Sequence, residues 1–511
     1  MSAVFAPGRR RVSAAALAVA LILAVLLPGS ASAAPLRTTT DPGQAAAGWL
    51  AGRLDGGTHV TYLGFFDGGT TADVVFGLAA AGVGKSTTGD VLDFLQNPAN
   101  VDSYVDLSAQ FGGPYTGSAA KAALAFLVGG RDPSMVAAGG LSLTQALRME
   151  CTSVDVSTTA THYCPAVGAG PGTFSSISES FIVLTAARLG SPLDDTGAAM
   201  TWFRSLQCPN GGFASGVPEQ GCASSAAADV DATAYALMAL AAIPSPSAVD
   251  RAAATAAADW LVTAQNNDGS WTAQSVHNTD STGLAAAALA GVGRNTAAAR
   301  AWLREQQITT GPTVGPGATR GALGYAAASD EHSRMKATAD GLLGLGGGAL
   351  GALTASHSIA DAPVLALPAP RFTGTLRAGG TVRLTAAGFQ AKEKVRVEIH
   401  STPATLATVP ASSNGSVAAS VVVPTGLAPG RHTVTVIGQT STLSSSATVT
   451  VVAAAAPATT SSAAGSGTTS TPLAATGANG GQLAAVTATA LLMLVGGGAL
   501  LAMGRRRERS C

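Results

Sequence analysis

A twelve-residue stretch near the middle of the chain, Trp260-Leu261-Val262-Thr263-Ala264-Gln265-Asn266-Asn267-Asp268-Gly269-Ser270-Trp271, constrains the fold more than any other feature. It reads as the last turn of a helix, a tight turn and an aromatic plug. The same grammar stands 58 residues earlier as Trp202-Phe203-Arg204-Ser205-Leu206-Gln207-Cys208-Pro209-Asn210-Gly211-Gly212-Phe213, and a partial copy, Trp302-Leu303-Arg304-Glu305-Gln306-Gln307, follows. A unit recurring at such a period marks a repeat architecture, in which each copy buries its apolar face on the next. Gly211 and Gly269 fall where a chain leaving a helix needs positive φ, and the Phe213 or Trp271 that follows can return between neighbouring helices as a strut.

Around these copies two kinds of helical segment alternate from Gln44 onward. One kind is amphipathic: around Trp49-Leu50, around Phe94-Leu95-Gln96, over 143–149, and ending at Gln207, Gln265 and Gln307. The other kind is almost wholly small and apolar: 72–81, 119–128, 178–187, 229–242, 281–291 and 338–345. A helix with one polar face belongs on an outside, whereas one that is apolar all round must be covered on every side. Six of each therefore predict an inner ring wrapped by an outer ring. Asp73, Ser178, Asp229 and Asp280, near the starts of inner segments, are expected as N-caps.

The spacing of aromatic, Leu or Phe, Gln, Gly and aromatic in Trp202-Phe203…Gln207…Gly211…Phe213 and Trp260-Leu261…Gln265…Gly269…Trp271 resembles the Gln-Trp repeat of squalene-hopene and related terpene cyclases. That resemblance implies a mainly α fold, an (α/α)6 toroid of the terpene cyclase and prenyltransferase-like kind, over residues 35–355. Such toroids share a scaffold and differ in chemistry, so function has to come from the site.

Three chemistries were weighed on the residues. Class II cyclases carry Asp-x-Asp-Asp, whose middle aspartate protonates an alkene. Here Asp229 and Asp231 match the first two acids, while Ala232 replaces the last. The bland reading makes Asp229 a helix cap and Asp231 a first-turn carboxylate that favours the helix dipole. A prenyltransferase zinc site needs Asp, a thiolate and His; no Asp-x-Cys occurs, and His277 near Asp280 stands alone, so no metal or other cofactor is expected. A thioester needs Cys-Gly-Glu-Gln, whereas Glu219-Gln220-Gly221-Cys222 has the letters reversed. The remaining reading is a binding or scaffolding ring whose funnel holds a small apolar or isoprenoid-like ligand, with a cyclase-like enzyme using Asp231 as general acid and a structural adhesin as alternatives. A cyclase cavity should be lined by many aromatic rings around Asp231; a carrier's should be lined by Ala, Leu and polar groups.

Outside the ring the pattern changes. Residues 356–370 contain Pro and read as a linker. Residues 371–452 alternate with period two, as in Thr381-Val382-Arg383-Leu384-Thr385 and Thr433-Val434-Thr435-Val436-Ile437, which predicts a smaller all-β sandwich. It resembles the immunoglobulin-like stalk modules of actinobacterial surface proteins. Residues 453–472, rich in Ala, Ser, Thr and Gly, cannot bury a core and read as a flexible tether.

Both ends carry targeting signals. Residues 1–34 combine Arg9-Arg10-Arg11, an apolar run and Ala31-Ser32-Ala33, the parts of a secretory signal peptide. Residues 473–511 hold Leu473-Ala474-Ala475-Thr476-Gly477, an apolar run at 483–503 long enough to span a bilayer, and Arg505-Arg506-Arg507-Glu508-Arg509. In that order they resemble the Leu-Ala-x-Thr-Gly sortase sorting signal of actinobacteria. The resemblance implies a sortase acting at Thr476, linkage to cell-wall peptidoglycan, and a transient membrane helix; a permanent single-pass anchor is the other outcome. Cys151 with Cys164 and Cys208 with Cys222 are expected as local disulfides of an oxidising compartment, pairing by proximity being a guess. With 11 % charged residues and zero formal net charge, nothing points to nucleic acid.

Overall fold

The computed structural model describes residues 36–454 except 109, 111–113, 148–174, 191–197, 217–220, 274, 327–328, 357–358 and 401–402. The expected signal peptide, the Cys151–Cys164 pair, most of the tether, the sorting signal and the 483–503 span lie outside the described residues. Among those described, no helix is long and apolar enough to cross a membrane.

The helices are α1 (Pro42–Ala51), α2 (Gly68–Ala81), α3 (Lys85–Gln96), α4 (Pro98–Val105), α5 (Thr116–Val128), α6 (Leu143–Ala146), α7 (Ser176–Leu189), α8 (Ala198–Ser205), α9 (Val230–Ala242), α10 (Ala248–Ala264), α11 (Thr279–Gly291), α12 (Ala297–Glu305) and α13 (Glu331–Gly346). Six of them, α2, α5, α7, α9, α11 and α13, pack each on the next, and α13 packs back on α2. This is a closed ring. The others lie outside it: α1 covers α13 and α2, α3 and α4 cover α2 and α5, α6 lies on α5, α8 on α7, α10 on α9 and α11, and α12 on α11 and α13. The inner helices are those with apolar character on most sides and are largely buried, except that the first turns of α13, Glu331 to Lys336, are charged and only partly covered.

Close approach within the ring is bought with missing side chains. A Cβ on Gly283 of α11 would stand 2.2 Å from the Asp340 carbonyl oxygen of α13, and one on Gly77 of α2 would stand 3.2 Å from the Ala339 Cα. The backbones of α11, α13 and α2 therefore approach closely there, as α5 and α7 do where a Cβ on Gly117 would stand 2.5 Å from the Ser178 Cβ.

The repeat motif does what its grammar predicts. Gly211 and Gly269 have φ of 94° and 92°. Phe213 and Trp271 are fully buried, and the Trp271 indole N–H donates to the Leu261 carbonyl at 2.8 Å. The Gln side chains were not assigned a role by the pattern alone. Gln207 Nε2 donates to the Gly211 carbonyl of its own turn and to the Ala253 carbonyl of α10, both at 2.8 Å; Gln265 Nε2 donates to the Gly269 carbonyl at 2.9 Å. Gln307 Nε2 donates to the Pro42 carbonyl at 2.8 Å, which ties the last outer helix to the first. Gln207 and Gln307 thus tie their outer helices to the next by hydrogen bonds, whereas Gln265 closes its own turn and that turn meets α12 by packing Gly269 against Ala298.

Three of the expected caps are corrected. The caps are Asp67, Ser175, Asp229, Asn278 and Asp330, whose side chains accept from backbone N–H groups two or three residues on. Asp73, Ser178 and Asp280 lie inside their helices, because the helices begin earlier, at the first residue following a polar side chain in extended backbone. Asp229 caps α9 as expected, accepting from Ala232 N–H at 2.9 Å.

Part of the segment expected as a linker packs against the helical domain. Val364–Leu365 pairs in parallel with Thr38–Thr39, and the Arg320 guanidinium donates to the carbonyls of Leu365 and Ala366 at 2.8 and 2.6 Å. Residues 371–452 form two sheets over one apolar core. In order, β1 (Arg371–Thr373), β2 (Thr381–Ala386), β3 (Lys394–Ile399), β4 (Ala404–Pro410), β5 (Val417–Val422), β6 (Gly430–Gly438) and β7 (Ser444–Val451) make antiparallel sheets β1-β2-β5 and β4-β3-β6-β7. Alternation along β2, exposed then buried throughout, is what period two requires.

Candidate functional site

Counted from each inner helix's first residue, position six is Asp73, Lys121, Phe181, Tyr235, Leu284 and Lys336 in ring order. Ring closure brings these into one layer. Lys121 Nζ meets Asp73 at 2.8 Å and lies 5.4 Å from the Phe181 ring centroid. Phe181 in turn packs on Tyr235, with ring centroids 4.9 Å apart. Lys336 Nζ meets Asp340, one turn further along α13, at 2.7 Å and Asp280 of α11 at 3.5 Å. Position two adds Asp231 of α9, Asp280 of α11 and His332 of α13 above that layer. Residues four apart share a helix face, so Asp231 stands over Tyr235, and His332, Lys336 and Asp340 form one column.

Exposure varies around the ring: the Lys336 side chain is 40 % accessible and Asp280 16 %, while Asp73 and Asp340 are at 3 % and 2 %. Lys336 lies on an inner helix, pairs across to α11 and is reached by water, so the space between these inner helices is read as a funnel open at their N-terminal ends.

The charges are strongly coupled. Burial pushes Asp340 up to about 8, against the pull of Lys336, and the neighbouring Asp280 adds to the rise. Burial alone would lower Lys336, but Asp340 and Asp280 outweigh it and hold the ammonium well above the usual lysine range. Burial raises Asp73 despite Lys121. Asp231 is pushed up to about 6, chiefly by burial, although the Ser281 hydroxyl lies beside it. That neighbour is misaligned: neither Asp231 Oδ1 nor Ser281 Oγ completes a hydrogen bond of good geometry, and both atoms are buried.

The sequence singled out Asp229 and Asp231, and the structure separates their roles. Asp229 is a cap; Asp231 belongs to the funnel. The Thr233 that follows them is structural, its hydroxyl accepting from Phe213 N–H at 2.8 Å, as Thr282 does from Trp271 N–H at 3.0 Å. His277 is drawn into the turn, 3.0 Å from Asp268 and 2.9 Å from the Ser270 hydroxyl. Cys222 is disulfide-bonded to Cys208, which removes the free thiol a thioester would need. Sequence reading missed Lys121, Lys336 and Asp340, and treated Asp73 as a cap. For Asp73 and Lys121 the signal was a single charge in an otherwise apolar helix; Lys336 and Asp340 stand on α13, whose first turns are charged anyway, so nothing set them apart.

Two further features lie apart from the funnel's floor. Glu179 of α7 is buried and pushed up to about 8 by burial alone, with no charged partner among the described residues. A surface groove of ≈ 560 Å³ between Gln207–Gly211 and Trp260 of α10 contains one carboxylate, Asp259, already paired with Arg294. It has no convergent polar set and is the seam between two motifs.

The groups that act electrostatically on Asp231 are Ser281, Asp229, Lys336 and Asp340.

Searches with the sequence find no matching family model and no matching curated protein. Among solved structures the chain is similar to ent-copalyl diphosphate synthase from Streptomyces platensis, at 18 % identity over 55 % of this chain and 50 % of that one, with a TM-score of 0.34. The chain therefore matches about half the length of that protein, and a TM-score at this level does not establish a common fold.

Proposed function

We propose that this chain is an exported surface protein whose helical ring binds a small polar or amphiphilic molecule in a charged funnel, with no catalysis. The observation that carries the reading is Lys336, held at the ring's centre between Asp280 and Asp340 and still open to water. Keeping such a network in a core that Ala and Leu could fill costs stability, and sites of that kind are where binding groups collect. The order of the signal peptide, Leu473-Ala474-Ala475-Thr476-Gly477, apolar run and basic tail supports export followed by sortase linkage to peptidoglycan.

Denaturing the purified protein and identifying what it releases by mass spectrometry tests the binding reading. Wild type should release a stoichiometric small molecule that Lys336→Met does not; equal release, or none from either, contradicts it. For anchoring, Thr476→Ala should leave the protein in the membrane or medium instead of linked to the wall.

One observation favours a second reading. Asp231, raised to about 6 with an unpaired oxygen, has the proton affinity of a general acid working below neutral pH. Such a cyclase-like enzyme would lose turnover of a polyprenyl substrate in Asp231→Asn. Ala232, where the cyclase motif has its last aspartate, weighs against it.

A further inference from the structure

The formal charge of zero is a cancellation between two parts of the chain. Residues 36–370 carry 15 Lys and Arg against 26 Asp and Glu, whereas residues 371–452 carry 7 against 2, a formal −11 beside +5. The helical domain is acidic and the sandwich basic. Segregated charge decides what each part attracts and repels.

Little of the sandwich's positive charge is used internally. Of its two carboxylates, Glu393 is buried and accepts from the N–H groups of Gln390, Thr440 and Ser441 and from the Ser441 hydroxyl, and Glu398 pairs with Arg396. Arg371, Arg377, Arg383, Lys392, Lys394 and Arg431 are exposed, and none of them has a carboxylate at ion-pair distance among the described residues.

The outer face of the β1-β2-β5 sheet is free of acid. Register sets Arg371 opposite Thr385 and Thr373 opposite Arg383, with Ser420 on the other side of Arg383. Arg371 and Arg383 are therefore diagonal neighbours, about 7–8 Å apart. Thr373, Thr381, Thr385 and Ser420 add hydroxyl donors around them. Arg377 extends the face, since it lies in the turn between β1 and β2 and bridges to Val452, where the chain leaves the sandwich. The opposite end is the one docked on the helical domain, where the Thr313 hydroxyl donates to the Gly388 carbonyl at 2.7 Å and Leu36 N–H donates to the Thr442 hydroxyl at 3.4 Å.

We infer that the sandwich is a docking surface for a linear phosphate polymer. Guanidinium forks meet phosphate oxygens two at a time. Lys394 and Arg431 stand on the outer face of the other sheet, so a chain that wraps can reach cations that a flat bilayer meets only on one side. Val422 is the one exposed large apolar side chain of the sandwich among the described residues, which leaves little to enter a membrane. The same polymer repels the acidic helical domain, so the molecule stands on its sandwich with the ring turned away. This assignment is independent of what the ring binds.

Fluorescence anisotropy of labelled poly(glycerol phosphate), a phosphodiester chain without bases, titrated with the full chain tests this. With three or four contacts, binding should be about 20- to 50-fold weaker at 200 mM than at 50 mM NaCl. Arg371→Gln with Arg383→Gln should weaken binding at 50 mM at least about tenfold and flatten the salt dependence. Lys85→Gln with Arg304→Gln, which removes two exposed cations of the helical domain, should leave binding unchanged. All four side chains are exposed, so both double variants should unfold in urea as wild type does. Equal affinity for polyglutamate of the same charge overturns the phosphate assignment. Tighter binding to phosphatidylglycerol vesicles, taken relative to phosphatidylcholine vesicles, overturns the choice of a polymer over a bilayer. Binding that is absent or indifferent to salt, or an equal loss in both double variants, overturns the docking surface itself.

Discussion

At the scale of single residues, the inner helices contain charged groups that a purely structural ring has no need of, and each has a measurable consequence. Glu179 keeps its proton to about 8 in the native state, whereas an unfolded glutamate loses it near pH 4. Where the native state binds a proton that the unfolded chain has released, stability declines as pH rises. Between about pH 4 and pH 8 this side chain therefore destabilises progressively. Glu179→Gln should unfold at the same urea concentration as wild type at pH 4 and be more stable at pH 8 by on the order of 3 kcal/mol. Lys121 behaves in the opposite sense, since it compensates Asp73 at 3 % exposure. Lys121→Met should cost about 3 kcal/mol at pH 7, the penalty of stranding one member of a buried pair. That loss should shrink as pH falls into the carboxylate range, because the stranded Asp73, whose proton affinity burial raises, can then take up a proton.

At the scale of elements, the braces between outer helices were legible in the sequence and the funnel was not. Trp260-Leu261…Gln265…Gly269…Trp271 announces itself because helix end, left-handed Gly and buried ring are local requirements written in adjacent residues. The alternation of helix types was equally readable, since burial on all sides excludes charge from most positions of a segment. Asp73, Lys121, Asp231, Asp280 and Lys336 sit on five different helices, with successive members 48 to 110 residues apart in sequence. Only closure of the ring makes them neighbours. Caps were misplaced for a related reason: Asp280 has the right side chain, but Asn278, two residues earlier, already accepts from Ser281 N–H at 2.8 Å. The brace itself can be broken selectively. A Cβ on Gly269, at φ of 92°, would approach the Ala298 carbonyl to 2.7 Å. Gly269→Ala should cost at least about 2 kcal/mol by combining left-handed strain with that clash, measured by thermal unfolding. Gly293→Ala, also at positive φ but with no neighbour within 4 Å, is the control and should cost about 1 kcal/mol.

At the scale of the whole molecule, the chain closes on itself twice: α13 packs against α2, and Gln307 joins the last outer helix to the first through Pro42. Closure removes exposed repeat ends and creates an enclosed centre, and the centre is where the charges are. The account stands on those charges being kept for a ligand and not for the fold. Urea unfolding of the triple variant Asp280→Asn, Lys336→Met, Asp340→Asn at pH 8 decides this most directly. Near-isosteric neutral side chains remove the buried ions in one step, so the account predicts a ring more stable than wild type by about 1–4 kcal/mol, with its small-molecule cargo lost. A triple variant less stable than wild type would show that the network holds the ring together, and the case for a binding funnel would fail with it.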